Sequence, residues 1–167
     1  MRSTQNIILL GNSCSGKTSI VNKVLNTSSE GSCIITVGID YHYIPELSCN
    51  LFDCAGQKRY NKLVSNYALN CDKYIIVFDL SDRESMIDID KWLKIIKNHK
   101  YILIIGNKLD LVNRIPVEVI NNYIDELQEK YYCKFIYIET SVIQDKGIDI
   151  VKGFIKSPPI VIKIKTY

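Results

Sequence analysis

Six apolar runs punctuate the chain: Ile7–Leu10, Val37–Ile44, Cys49–Phe52, Tyr74–Leu80, Ile102–Gly106 and Phe135–Ile138. Each has the length of a strand, and Ile102–Gly106 is the uninterrupted kind expected of a strand buried on both faces. Between them the period changes from two to three-and-four. Ser19 to Leu25 reads as helix. From Ser81 to Asn98, Met86, Ile89, Leu93 and Ile96 recur at helical spacing behind a Ser81/Glu84 capping box. Pro116 opens a further helix that carries Ile120, Ile124, Leu127 and Tyr131 on one face. A short last helix, Ile148 to Lys156, stops at Ser157-Pro158-Pro159, and Ile44-Pro45-Glu46-Leu47 reads as a compressed turn between two strands. Strands alternating with helices predict an α/β doubly wound sheet with its ligand at the carboxyl ends of the strands.

The chemistry falls at those ends. After Ile7–Leu10 comes Gly11-Asn12-Ser13-Cys14-Ser15-Gly16-Lys17-Thr18, a G-x-x-x-x-G-K-[ST] loop. Its glycines allow close backbone approach, and it leads into a helix N-terminus that favours anions. The N–H groups of this stretch, from Ser13 through Cys14, Ser15 and Gly16 to Ser19, are candidates to wrap phosphates. Lys17 can reach the outer phosphates, and the Thr18 hydroxyl is placed for Mg²⁺. The bland reading, a Gly/Ser turn, does not account for the strand before the loop and the helix after it.

Three downstream segments narrow the ligand. Ile102–Gly106 ends in Asn107-Lys108-Leu109-Asp110. Asp110 can accept from the N1–H and 2-amino groups of guanine, donors that adenine lacks there, while Lys108 can lay its alkyl stem over the ring. Alone, such a tetrad is a polar turn capping a strand; behind a phosphate loop it points to a guanine nucleotide. Asp53-Cys54-Ala55-Gly56-Gln57 offers a carboxylate for Mg²⁺, the Gly56 N–H for a γ-phosphate and Gln57 to orient water. Thr36 offers a second hydroxyl for the metal, and Ser141 and Val142, in Glu139-Thr140-Ser141-Val142, offer N–H groups to the guanine oxygen.

With these segments in order from Ile7 to about Lys156, the chain resembles a small GTPase of the Ras superfamily, most like the Rab branch. The Rab likeness lies in Thr36 to Tyr41, Asp53 to Tyr60, Val77 to Ser85 and Lys91-Trp92-Leu93. The resemblance implies a P-loop NTPase (small G protein) fold, with a mostly parallel six-stranded sheet flanked by helices. It implies residues 1–157 as the GTPase domain and 158–167 as a short tail. GTP/GDP and Mg²⁺ are the implied cofactors, with Gln57 and Lys17 catalytic and Thr18, Thr36 and Asp53 on the metal. A GTPase-activating protein, an exchange factor and effectors are the implied partners of a monomeric switch in vesicle or membrane traffic. No arginine is placed as a finger in cis, so an activating partner is expected to supply one.

Departures from the family set further expectations. Ser29 stands where an aromatic packs on the guanine in relatives, a loss of about 1 kcal/mol or more, so nucleotide release is expected to be fast. Val142-Ile143 replaces the usual Ala-Lys, and a branched side chain there is expected to crowd the base. The shortened link from Thr36 to Asp53 trims a hairpin that is part of the partner-binding face in Rab proteins. Ser13 beside the γ-phosphate position predicts slow hydrolysis. A nucleotide-loaded binding module or decoy is the alternative class; an ATP-dependent kinase is disfavoured by Asn107 and Asp110.

Composition changes this picture little. A net charge of +3 with dispersed Lys/Arg gives no nucleic-acid footprint, and no run approaches the roughly 20 apolar residues of a membrane span. The six cysteines show no C-x-x-C pairs, and with only His42 and His99 a zinc site is not expected. Two thiols inside nucleotide motifs fit a reducing cytoplasm. Arg2 excludes N-myristoylation, and no cysteine follows Cys133 to carry a prenyl group. Ile160 to Tyr167 alternates apolar and basic residues, like an edge strand or a membrane-surface tail. Peripheral membrane attachment therefore stays open.

Overall fold

In the computed structural model, residues 4–27, 35–97, 101–112 and 114–157 are described. Six strands, β1 (Gln5–Leu10), β2 (Ile39–Ile44), β3 (Cys49–Cys54), β4 (Lys73–Asp79), β5 (Ile102–Asn107) and β6 (Ile136–Glu139), form one sheet in the order β2-β3-β1-β4-β5-β6. Only the β2–β3 pair is antiparallel; the pairs β1–β3, β1–β4, β4–β5 and β5–β6 are parallel. The helices are α1 (Lys17–Leu25), α2 (Asn61–Ala68), α3 (Arg83–Ile87), α4 (Ile89–Leu93), α5 (Val117–Tyr131) and α6 (Ile148–Lys156).

The period of two sorts the central strands onto two cores. Ile8, Leu10, Tyr74, Ile76, Phe78, Ile102 and Ile104 face α2 to α5, burying Val64, Met86, Leu93, Ile120 and Leu127. The intervening Ile7, Leu9, Ile75, Val77, Leu103 and Ile105 meet Ile20 and Val21 of α1 and Val151 and Ile155 of α6. Both faces are covered, which is why these strands read as continuous apolar runs.

All six expected strands form, although β2 starts at Ile39 rather than Val37. The compressed turn is a 3₁₀ turn over Pro45–Leu47, closed by Ser48 in the left-handed region at φ 46°. Two helical readings need correction. Helix α2 is absent from the sequence pattern, because its buried face rests on only Val64 and Ala68. The helix expected over Ser81 to Asn98 divides into α3 and α4 at Asp88, whose ψ of −7° departs from helical geometry; Asn98 lies outside the described residues. Its cap is Asp82, which accepts from the Glu84 N–H at 3.0 Å, not Ser81. The Ser81 hydroxyl instead donates to Asp79 at 2.7 Å.

Asp90 joins α4 to α5. It pairs with Lys94 at 2.8 Å and Lys130 at 2.7 Å, and accepts from the Tyr131 hydroxyl at 2.8 Å. Burial alone would raise its carboxyl; the Lys130, Lys94 and Tyr131 hydrogen bonds outweigh that and hold it down to about 2. A carboxyl depressed on folding adds stability above its ordinary value of about 3.9, and that contribution fades as pH falls through the folded value. Asp90→Asn is expected to cost about 1–2 kcal/mol at neutral pH, discounted for partial exposure. Urea unfolding should show the gap between variant and parent narrowing as the pH approaches 2.

Candidate functional site: a phosphate loop facing a base-contact loop

The loop after β1 is built around one lysine. The Lys17 ammonium donates to the Gly11 carbonyl at 2.9 Å and the Asn12 carbonyl at 2.8 Å, and only 6% of the residue is exposed. Lysine has three donors, so two bonds to the loop leave capacity for an anion. Burial pulls Lys17 below its ordinary value, and Asp53, the main opposing influence, favours the charged form. Ser13 and Cys14 lie exposed on the rim, Cys14 at φ 62°. The Ser15 hydroxyl is buried without a hydrogen-bond partner among the described residues. Gly16 has φ +96°, and a Cβ there would lie 2.1 Å from the Asn107 side-chain amide, so no other residue fits. Ser19 follows in the first turn of α1.

Three oxygen-bearing side chains meet beside this loop. The Thr18 hydroxyl donates to Asp53 Oδ2 at 2.5 Å and lies 3.0 Å from the Thr36 hydroxyl. Asp53 is fully buried, and its second oxygen, Oδ1, has no hydrogen-bond partner among the described residues. Burial raises its carboxyl despite the Thr18 bond and the Lys17 charge. A buried carboxylate with an unmatched oxygen is a cost that a bound cation relieves. One carboxylate and two hydroxyls are hard donors of the kind Mg²⁺ accepts, so this cluster fits that ion.

Gly56 presses on the loop from β3's end: a Cβ would come within 2.2 Å of Ser13 N and 2.3 Å of the Asn12 carbonyl carbon. The Ala55 N–H donates to the Gly38 carbonyl at 2.9 Å, tying this segment to the one that carries Thr36. Gln57 follows in extended conformation and leads into a 3₁₀ turn over Lys58–Tyr60.

The base-contact residues are bound to the phosphate loop and to each other. Asn107 donates its amide to the Ser15 carbonyl at 3.0 Å and accepts from the Thr140 hydroxyl at 3.0 Å. The Ser141 hydroxyl donates to Asp110 Oδ1 at 2.6 Å, bracing the carboxylate. The Ser141 N–H, expected to meet the guanine oxygen, instead donates to the Lys146 carbonyl at 3.2 Å, so that role is left to Val142. Lys108, at φ 67°, anchors its ammonium on Asp79 Oδ2 at 2.5 Å. The expected crowding by Val142 is not what its packing indicates. Its side chain is partly buried against the core on the α1 and α6 face of the sheet, and the exposed branched residue is Ile143. Ser29 lies outside the described residues.

The fold thus gathers the candidates at the carboxyl ends of β1, β3, β5 and β6. Two residues without a site role in the sequence reading support them: Asp79 holds Lys108, and Thr140 holds Asn107. The sequence signal for Asp79 is a lone carboxylate near the end of the apolar run Tyr74–Leu80, and the fold sets it in register with Asn107.

The model of the Ras family matches residues 6–155. The chain belongs to the Ras family. Among its relatives, Ras-related protein Rab-11B of Dictyostelium discoideum is 26% identical over 153 residues, covering 86% of this chain and 68% of that protein. Human Ras-related protein Rab-3D is 27% identical over 138 residues, 75% of this chain and 63% of Rab-3D. Mouse Ras-related protein Rab-12 is 30% identical over 114 residues, 62% of this chain and 47% of that protein. The matched segments therefore span about half to two thirds of these relatives. This is a Ras-superfamily small GTPase domain, most like the Rab branch, on the fold expected from the motifs. Among the described residues no helix is long and apolar enough to cross a membrane.

Proposed function

We propose that residues 1–157 act as a Mg²⁺-dependent GTP/GDP switch of Rab type that hydrolyses GTP slowly, with 158–167 as its tail. The observation that carries this reading is the meeting of Thr18, Thr36 and Asp53 beside the Lys17 loop, with Asp53 Oδ1 and the Ser15 hydroxyl unpartnered among the described residues. Thr18, Thr36 and Asp53 would hold Mg²⁺, which when bound neutralises charge on the terminal phosphate oxygens.

The chain's own groups do the rest. N–H groups from Ser13 to Ser19 receive the phosphates, Lys17 brings a buried positive charge to them, and the Gly56 N–H meets the γ-phosphate. Gln57 orients the attacking water, while Asp110 and the Val142 N–H read guanine and Ser141 braces Asp110. Lys108 flanks the ring, and Asn107 locks the base loop to the phosphate loop. With the γ-phosphate present, Thr36 and Gly56 both engage it, so its loss releases the two segments that flank β2 and β3.

β2, β3 and α2, next to those segments, carry a ready partner face. Tyr41 and Tyr67, 57% and 45% exposed, both pack against Phe52, with ring centroids 5.6 and 5.5 Å away. Exposed aromatics of this kind suit an effector. An exchange factor and an arginine-supplying activator complete the cycle, the latter raising the rate by about 10³-fold or more. Such a switch works in the cytoplasm, peripheral to a membrane, in vesicle traffic.

Single-turnover phosphate release from GTP-loaded protein in Mg²⁺ is the test. Slow release that falls about tenfold or more in Gln57→Leu is expected for water orientation. Retained GTP with no release from either protein would replace the switch by a nucleotide-loaded binding module.

A further inference from the structure

Asn12, the second residue of the phosphate loop, is the point where three elements meet. Its carbonyl accepts from Lys17 at 2.8 Å. Its peptide lies under Gly56, and its side chain is gripped at both ends from the far side of the sequence. The Asn12 amide nitrogen donates to Asp88 Oδ2 at 3.0 Å, and its oxygen accepts from the Trp92 indole N–H at 3.2 Å. An indole N–H only donates and a carboxylate only accepts, so the two partners fix which way the Asn12 amide points. Asp88 sits at the junction of α3 and α4, pairs with Lys91 and feels the charge of Lys58, the residue after Gln57.

We infer that Asp88 and Trp92 are positioning residues for the phosphate loop. They hold the Asn12 side chain, and through the same residue the carbonyl that receives Lys17. The α3–α4 junction is thereby a lever on nucleotide retention. A partner that draws Asp88 or Trp92 away frees the loop carbonyl and with it the lysine. The inference rests on the proposal that this loop holds a guanine nucleotide, and it gives Asp88 and Trp92, which lie outside the nucleotide-contact segments, a part in holding it.

The test is a donor–acceptor exchange read as GDP dissociation in Mg²⁺. Asn12→Asp sets two carboxylates face to face and is expected to speed release by about tenfold or more. Adding Asp88→Asn gives the new carboxylate a donor again, and Trp92 keeps its acceptor, so release should return to within about threefold of the parent. Trp92→Phe, which keeps a ring and removes the N–H, should speed release on its own. Circular dichroism identifies any variant that fails to fold, and Trp92→Phe stands in for Asn12→Asp in that case. Unchanged release in the folded single variants, or no recovery in the double variant, would overturn the inference.

A second readout needs no nucleotide. Trp92 is the single tryptophan of the chain, so Asn12→Ala should shift its emission in unloaded protein. If the parent binds no guanine nucleotide, the functional proposal fails, and the emission shift still decides whether Asn12 and Trp92 are coupled. No shift would remove that contact and the inference with it.

Discussion

Lys17→Ala is expected to weaken GTP binding by about 10²- to 10³-fold, more than any other single side-chain truncation in the site. The side chain is buried, and its charge lies against two loop carbonyls at 2.9 and 2.8 Å with one donor still to place. A charge-assisted hydrogen bond is worth about 1.5–3 kcal/mol, and the Coulomb attraction to phosphate in a site of this burial adds to it. Together these give the stated range. Arginine should not rescue the loss, because its planar fork does not fit two converging carbonyls as an ammonium does. Displacement of a fluorescent GDP analogue measures the effect, with circular dichroism confirming that the sheet is intact. A loss of less than about threefold would mean that the ammonium serves the loop alone.

Asp110→Ala is expected to erase base selectivity, and here the comparison of two nucleotides matters more than either affinity. Guanine offers N1–H and a 2-amino group; hypoxanthine keeps the first and lacks the second. The Ser141 hydroxyl braces Asp110 Oδ1 at 2.6 Å, leaving the carboxylate aimed and its remaining acceptor sites for the base. The parent should prefer GTP over ITP by about 10- to 100-fold, the value of one hydrogen bond to a charged acceptor. In Asp110→Ala, GTP should bind about 10²-fold more weakly and the GTP/ITP ratio should fall toward one. Competition titrations of both nucleotides against both proteins measure it. A ratio unchanged by the substitution would move base recognition away from Asp110.

The parts of the fold visible in the sequence are those whose cause is local. The strand runs around Ile7, Ile75 and Ile104 are buried on both faces and need no partner to be recognised. The phosphate loop and the Asn107–Asp110 tetrad are equally local, because each needs its residues at fixed spacing on one turn. What escaped is set across the sheet. Ser81 looks like a helix cap until Asp79, itself held by Lys108, takes its hydroxyl; the cap then passes to Asp82. Asn12 is an ordinary loop residue until Asp88 and Trp92 arrive from 76 and 80 residues away. Val142 reads as a threat to the base in a linear comparison, and only the assembled core between the sheet and its helices gives its side chain another place to go. Helix α2 carries too few apolar positions to announce itself and is defined by its docking on the sheet through Val64 and Ala68.

If the loop around Lys17 and the segment around Asp110 form one guanine-nucleotide site, that nucleotide should stay with the protein. The most direct measurement is the nucleotide carried by the protein after purification in Mg²⁺, identified chromatographically and then challenged with excess GTP, GDP and ATP. A single site of this kind should carry close to one guanine nucleotide per chain, exchanged by GTP and GDP and not by ATP, with chelation of Mg²⁺ speeding the exchange. Protein that carries no nucleotide and takes up none, or that yields to ATP as readily as to GTP, would contradict it.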